Sequence, residues 1–370
     1  MTRASNFMIR RALPCALALA LLPAAAQART YQVTVQTDHK PDTCTAAECT
    51  LREAVIAANK HKGADTIVLS SRKRYELALA STGEDKAANG DLDIASGPLT
   101  IVHPGRGTAT IDANRTDRVF DIGRAKTTLD KLTILGGYSN KTDADGDGGG
   151  IAVGDLGDAP LTILRSRIIH NRAPWVGGNG GGIDSDSSTL VKLIDSEVSN
   201  NDSGGSGGGI EGSPDGQMLI QRTKVVNNKA AQAGGVMVFG PPVRIVESTI
   251  AGNLASAGPE AEGDGGGIYV GARGRLELTN STVANNGAYT SGGGTSATRA
   301  ARRRSASPRS SATAPTRTTC PAARRAASTC ARPVFRWPPT PVSRTRSSRS
   351  TSRPEESPRT AAASASSGPG

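Results

Sequence analysis

Aromatic residues are only 3% of the 370, so any core this chain builds must be aliphatic. That shortage argues against a propeller, whose blades are longer and need more aromatics, and the L-x-x-L-x-L consensus of leucine-rich repeats is missing too. After Ala12–Leu22 no apolar run is long enough for a membrane helix. The body has no Asp-Asp pair and no Gly-His-Gly, which leaves the paired acids of a glycoside hydrolase unsupplied. Cysteines number five and histidines four, and no Cys or His pair follows Cys44 and Cys49 at zinc-ligand spacing. Cys44 and Cys49 therefore read as a disulfide closing a small loop ahead of a helix, with a metal site as the alternative.

The last segment, 296–370, lacks Lys, Asp, Leu, Ile and Asn altogether. It carries 15 Arg against Glu355 and Glu356, a net charge of +13, whereas the whole chain is +11. The rest is therefore slightly acidic, and a nucleic-acid partner inferred from the whole-chain charge would be an artefact of averaging. Arg, Ala, Pro, Ser and Thr are what GC-rich codons yield out of frame. The abrupt switch inside a repeat reads as a frameshift, and such a composition is expected to be disordered.

At the other end, Arg3, Arg10 and Arg11 precede Ala12–Leu22, and Ala26-Gln27-Ala28 supplies a small-x-small cleavage site. This is the pattern of a secretory leader over 1–28, which would place the mature chain outside the cytoplasm. Between leader and tail lies a repeat. Five segments share apolar-x-apolar-x-x-[Ser/Thr]-x-[Ile/Val]-x-x-Asn, with Ser166, Ser196, Thr223, Ser248 and Ser281 spaced by 30, 27, 25 and 33 residues. Asn171, Asn201, Asn228, Asn253 and Asn286 close the five copies, and Thr127–Gly137 is a weaker first copy. Glycine triplets before an apolar residue separate them: Gly148–Ile151, Gly180–Ile183, Gly207–Ile210 and Gly265–Ile268, with Ala233–Val236 divergent.

Apolar residues at i and i+2 share one face of a short strand. The Ser/Thr marks a bend, the Asn suits a left-handed corner, and the glycines suit a corner where Cβ atoms would collide. Short strands and corners repeating every 25–33 residues describe the coils of a right-handed parallel β-helix, an all-β solenoid, with the asparagines stacked in a ladder. Taking 65–295 as roughly eight turns at about 4.8 Å gives a rod about 40 Å long. Ahead of it, over 29–64, the alternation Tyr31–Thr37 predicts a strand. Thr50-Leu51-Arg52-Glu53 is a capping box opening a helix with Leu51, Ala54, Val55 and Ala58 on one face. The two together predict a lid on the first coil.

Cys49-Thr50-Leu51-Arg52-Glu53-Ala54 resembles the C-S-L-R-E-A motif that names a domain at the start of many exported bacterial proteins. The similarity continues through Ala64–Leu69, Gly90–Ile94, Leu99–Ile101 and Asp117–Ile122. The array is similar to that family's G-G-G-I and S-T-V-x-x-N repeats and to those of polymorphic outer-membrane proteins. The resemblance, over about 31–294, implies a pectin-lyase-like β-helix at the cell surface or in the medium, in a family whose members have adhesin-like or unknown roles. Two departures stand out: Thr50 replaces the usual Ser, and no C-terminal cap or anchor is recognisable.

Candidates for chemistry are few. Asp143-x-Asp145-x-Asp147-Gly148 is the opening half of a calcium loop, but the twelfth position is Gly154 where an acid is required. Asp143, Asp145 and Asp147 are the candidate ligands of a structural calcium ion, beside the simpler reading of an acidic turn. A calcium-dependent polysaccharide lyase would need a carboxylate cluster and a basic residue. Asp184, Asp186 and Asp195 with Arg165, Arg167, Arg172, Arg222 or Arg244 are the residue types available, at positions expected to face outward. His170 reads as a surface histidine, and Trp175, after Pro174, as the best single ligand contact. These observations predict an exported, non-catalytic protein of the cell surface, outer membrane or medium, with an adhesion or envelope-interaction role toward polysaccharide or a host surface. A polysaccharide lyase is the alternative, and no catalytic residue is assigned.

Overall fold

The computed structural model describes residues 27–70, 73–80, 83–139, 146–154, 157–158, 160–186, 188–258, 262–297 and 302–306. The expected leader, apart from residues 27 and 28, and most of the 296–370 tail with its expected disorder lie outside the described residues. Among the described residues every ladder is parallel, and the strands form four sheets of ten, eight, five and eight strands. One coil shows the path. Leu161–Leu164 lies in the first sheet, Arg167–Ile169 in the second, Arg172–Ala173 in the short third and Ile183–Ser185 in the fourth. Leu190–Ile194 then returns to the first sheet, one coil further on.

Register holds coil after coil. Leu161 pairs with Val191, Val191 with Met218, Met218 with Val243 and Val243 with Leu276, so like residues stack on like. The inward rows are almost wholly aliphatic and buried, for example Ile67, Ile101, Leu129, Ile163, Leu193, Ile220 and Ile245 in the first sheet. Tyr75 and Phe120 are the aromatic exceptions, both buried towards the N-terminal end.

Two polar ladders run inside the stack, one at each repeat signature. Each Ser/Thr Oγ accepts the main-chain N–H of its counterpart one coil back: Leu132 to Ser166 (3.0 Å), Ser166 to Ser196 (3.2 Å), Ser196 to Thr223 (3.2 Å), Thr223 to Ser248 (3.1 Å) and Ser248 to Ser281 (3.0 Å). The asparagines do more. Asn171, Asn201, Asn228 and Asn253 each donate main-chain N–H and Nδ2 to the Oδ1 of the next, at 2.9–3.1 Å. Each Nδ2 also reaches a strand carbonyl of the preceding coil, as Asn228 does to Val198 O at 3.0 Å.

The left-handed geometry expected of these asparagines belongs instead to the residue before each one. His170, Asn200, Asn227 and Asn285 have φ of 57°, 56°, 57° and 54°, and glycine fills the place at Gly136 and Gly252. A second left-handed site precedes each Ser/Thr, at Arg165, Asp195, Arg222, Glu247 and Asn280, and Lys131 holds the same place before Leu132. Such a conformation costs a non-glycine residue roughly 1–2 kcal/mol. The neighbouring ladder bond holds it in place.

Two boundaries differ from the expectation. Thr30–Gln32 pairs with Asp65–Val68, so the first sheet already begins inside the expected lid. At the far end, Thr295–Ala297 pairs with Ile268–Val270 and Arg302–Ala306 with Arg275–Thr279. The ladder therefore passes beyond residue 295, because parallel pairing asks only for backbone N–H and C=O groups. The helix Leu51–Lys60 packs on Asp65–Val68 and Leu92–Ile94. Thr50 caps it, with Thr50 Oγ1 accepting Glu53 N–H (3.1 Å) and Glu53 Oε2 accepting Thr50 N–H (2.9 Å). Cys44 and Cys49 are joined by a disulfide just ahead of it. Arg52, fully buried, pairs with Asp38 and donates to the carbonyls of Ala87, Gly90 and Asp91 at 2.7–3.1 Å. The C-T-L-R-E-A stretch is thus a clasp, each member with a structural partner. Among the described residues no helix is long and apolar enough to cross a membrane.

Candidate functional site

The arginines that a lyase would need lie on the outer surface, and each meets an acid one coil away. Arg165 pairs with Asp130, Arg167 with Glu197 (3.3 Å), Arg172 with Asp202 (3.1 Å), Arg222 with Asp195 (2.6 Å) and Arg244 with Glu277 (3.3 Å). Hydrogen bonding from Arg222 holds the Asp195 carboxyl below its usual range. An arginine kept cationic by such a partner is a poor proton acceptor.

Asp184, expected to face outward and be solvated, is buried. As the middle residue of Ile183–Ser185 it does point away from the core, but the chain entering the glycine triplet folds over it. A Cβ on Gly180, where φ is +58°, would stand 2.5 Å from Asp184 Cα, and one on Gly207 2.8 Å from Glu211 Cβ. Only glycine lets the chain cover the row so closely. Asp93, Asp121 and Ala152 occupy the same row, joined to Asp184 by direct register, and Glu211 follows Ile210 as Asp184 follows Ile183.

This row gives two acidic clusters. Asp91, Asp93 and Asp121 bring carboxylate oxygens within 4.8 Å of one another, and so do Asp147, Asp184 and Asp186. In the first, Arg118 pairs with Asp91 at 3.0 Å. Burial raises Asp93 to about 7 and Asp91 well above its ordinary value, the latter helped by Asp117 and opposed by Arg118. In the second, Asp147 Oδ1 accepts Asn179 N–H at 2.6 Å. Burial raises neighbouring Glu211 to about 8; the Ser206 hydrogen bond opposes the rise, while Asp147 and Asp186 add to it. Of the expected calcium ligands, Asp147 is in this cluster; Asp143 and Asp145 lie outside the described residues. Asp147 meets carboxylates of the next coil, an arrangement that can offer hard oxygen ligands to a cation. The residues not expected were Asp91, Asp93, Asp121 and Glu211. For Asp93, Asp121 and Glu211 the signal is an acid directly after the first apolar residue of a fourth-sheet strand; Asp91 stands just before such a strand.

Close by, segments 176–179, 204–206 and 231–232 line a concavity of about 190 Å³. It follows from unequal connections between the third and fourth sheets. Ala173 to Gly180 and Ala255 to Gly265 are long, whereas Ser203 to Gly207 and Ala230 to Ala233 are short. Gly258 of the second long connection approaches Ala231. Trp175, next in sequence to the lining residue Val176, is 41% exposed, and His170 is exposed at its left-handed corner.

No curated protein and no solved structure matches the chain. Residues 119–301 match the family model described as the right handed beta helix region. That span covers the coils from Phe120 onward, and the body of this chain is a right-handed parallel β-helix.

Proposed function

We propose that this is an exported protein of the cell surface or medium that uses its long β-helical faces for adhesion or envelope interaction, without catalysis. The observation that carries this reading is the coil-to-coil pairing of Arg165, Arg167, Arg172, Arg222 and Arg244. Each of those cations is engaged by an acid of a neighbouring coil, and Asp184 is buried. The leader pattern and the resemblance at Cys49–Ala54 support export. A calcium ion at Asp147, extended on this geometry to Asp184 and Asp186, would have a structural role, tying two coils together.

The test is an incubation of the full mature chain with polyuronates and calcium, following the ultraviolet absorbance of unsaturated products. The same protein is assayed for retention on polysaccharide-coated and cell-envelope surfaces. Retention without product is the expected result. Robust product formation, lost on Arg222→Ala or Arg167→Ala, would establish the lyase instead.

A further inference from the structure

The concavity over 204–206 and 231–232 deepens the surface-binding reading, on which it rests, by specifying a ligand class. Among the described residues no Lys, Arg, Asp or Glu lines it. Its polar side chains are Asn179, Ser206 and Gln232, all neutral. Asn179 Oδ1 accepts the main-chain N–H of Ser206 at 3.0 Å, which fixes the orientation of that amide. The main chain of Gln232 is engaged, its N–H donating to Gly205 O (3.0 Å) and its carbonyl accepting Gly207 N–H (3.1 Å). The half-buried Gln232 carboxamide makes no hydrogen bond among the described residues, although it can donate twice and accept twice. Apolar surface comes from Val176 and Ala231, and Trp175, the residue before Val176 in the chain, is exposed.

We infer that this concavity is a subsite for one neutral sugar ring, its hydroxyls meeting Gln232, Ser206 and Asn179 and its C–H face meeting Trp175 and Val176. Alternating hydroxyls and C–H groups match a lining of neutral amides, one hydroxyl and small apolar walls better than a purely apolar or a charged ligand does. At about 190 Å³ the space takes a single ring. Pockets that enclose drug-sized molecules run to roughly 300–1,000 Å³. An acidic sugar is disfavoured, because among the described residues no cation lines the space. The indole supplies a rigid apolar platform with a polar edge.

The chain has two tryptophans, Trp175 and Trp337, so full-length protein carrying Trp337→Phe reports on Trp175 alone. Methyl glycosides of glucose, galactose and mannose, with glucuronate for comparison, are titrated by indole emission and by saturation-transfer NMR. At least one hexoside should saturate with a Kd on the order of 1 mM, and glucuronate should bind at least about tenfold more weakly. Gln232→Ala should weaken the hexoside about fivefold, the loss of one hydrogen bond, with an unchanged circular dichroism spectrum. Trp175→Ala should abolish the saturation-transfer signal. Absence of saturation by any hexoside, equal binding of glucuronate, or indifference to both substitutions would overturn the subsite. Surface retention without hexoside binding removes the subsite alone; hexoside binding without retention removes the surface role alone.

Discussion

Replacing Asn228 by alanine interrupts the asparagine ladder at its middle, and the cost follows from its bonds. The side chain accepts Asn201 N–H and Asn201 Nδ2 and donates to Val198 O and Asn253 Oδ1, all at 3.0 Å. Asn201 Nδ2 keeps Ile168 O, and Asn253 Oδ1 keeps Asn228 N–H, so those two groups lose one bond of two. Asn201 N–H is left buried with no acceptor, at about 1–3 kcal/mol, and the other three bonds are worth about 1 kcal/mol each. The sum is about 4–6 kcal/mol, a large fraction of the stability of a typical domain. Two comparisons isolate the ladder. Asn227, the preceding and identical residue, is exposed with φ of 57°, a conformation glycine adopts freely, so Asn227→Gly should change stability by less than about 1 kcal/mol. Asn286 closes the ladder with its side chain partly exposed, where water replaces lost partners, so Asn286→Ala should cost about 1–2 kcal/mol. Guanidinium unfolding of full-length variants, followed by circular dichroism, measures all three. Equal costs for Asn227→Gly and Asn228→Ala, or a cost under about 1 kcal/mol for Asn228→Ala, would refute the ladder as a main stabilising element.

Further outcomes follow from the lid and the acidic row. Arg52→Ala leaves Asp38 buried without its cation and three carbonyls without a donor, and should destabilise by about 3–5 kcal/mol in thermal melts. Arg52→Lys should recover only part, since an ammonium cannot span the same fork. Cys44→Ser with Cys49→Ser opens a short loop and should cost at most about 2 kcal/mol, with the solenoid spectrum retained. Glu211 holds its proton in the fold up to about 8, against 4.5 for the ordinary group, so the unfolded chain binds fewer protons between those values. Stability should therefore fall as pH rises from about 4.5 through 8, and Glu211→Gln should flatten that slope, gaining most above pH 8. An unchanged slope in Glu211→Gln would exclude Glu211 as its source.

The solenoid was legible because each coil repeats the same inward positions, and a period-two pattern reports the inward face of a strand directly. Asn171, Asn201, Asn228, Asn253 and Asn286 were legible as a stack for the same reason. Which residue turns left-handed was not, since Asn-Asn at 200–201, 227–228 and 285–286 offers two candidates and only hydrogen bonding separates them. Asp184 shows a second limit. Strand alternation correctly places it outside the core, yet outside means solvated only if nothing covers the position, and the covering chain is set by the close approach at Gly180. The pairing of Arg302–Ala306 with Arg275–Thr279 shows a third: side-chain pattern says where a repeat ends, but not how far backbone pairing runs on.

The regular faces and the irregular edge divide the work of the surface. Along the row at the first corner, Arg165, Asp195, Arg222 and Glu247 alternate in sign, as do Arg167, Glu197 and Lys224 in the second sheet. Each charge is answered within the stack by the coil above or below, so these rows present little net field to a charged partner. Recognition of a particular ligand must then come from places where successive coils differ. Those are the connections between the third and fourth sheets, whose unequal lengths produce the uneven repeat spacing and the concavity beside Trp175. Lengthening the 230–233 connection should close that space without touching the core or either ladder, because the added residues enter outside the stacked rows.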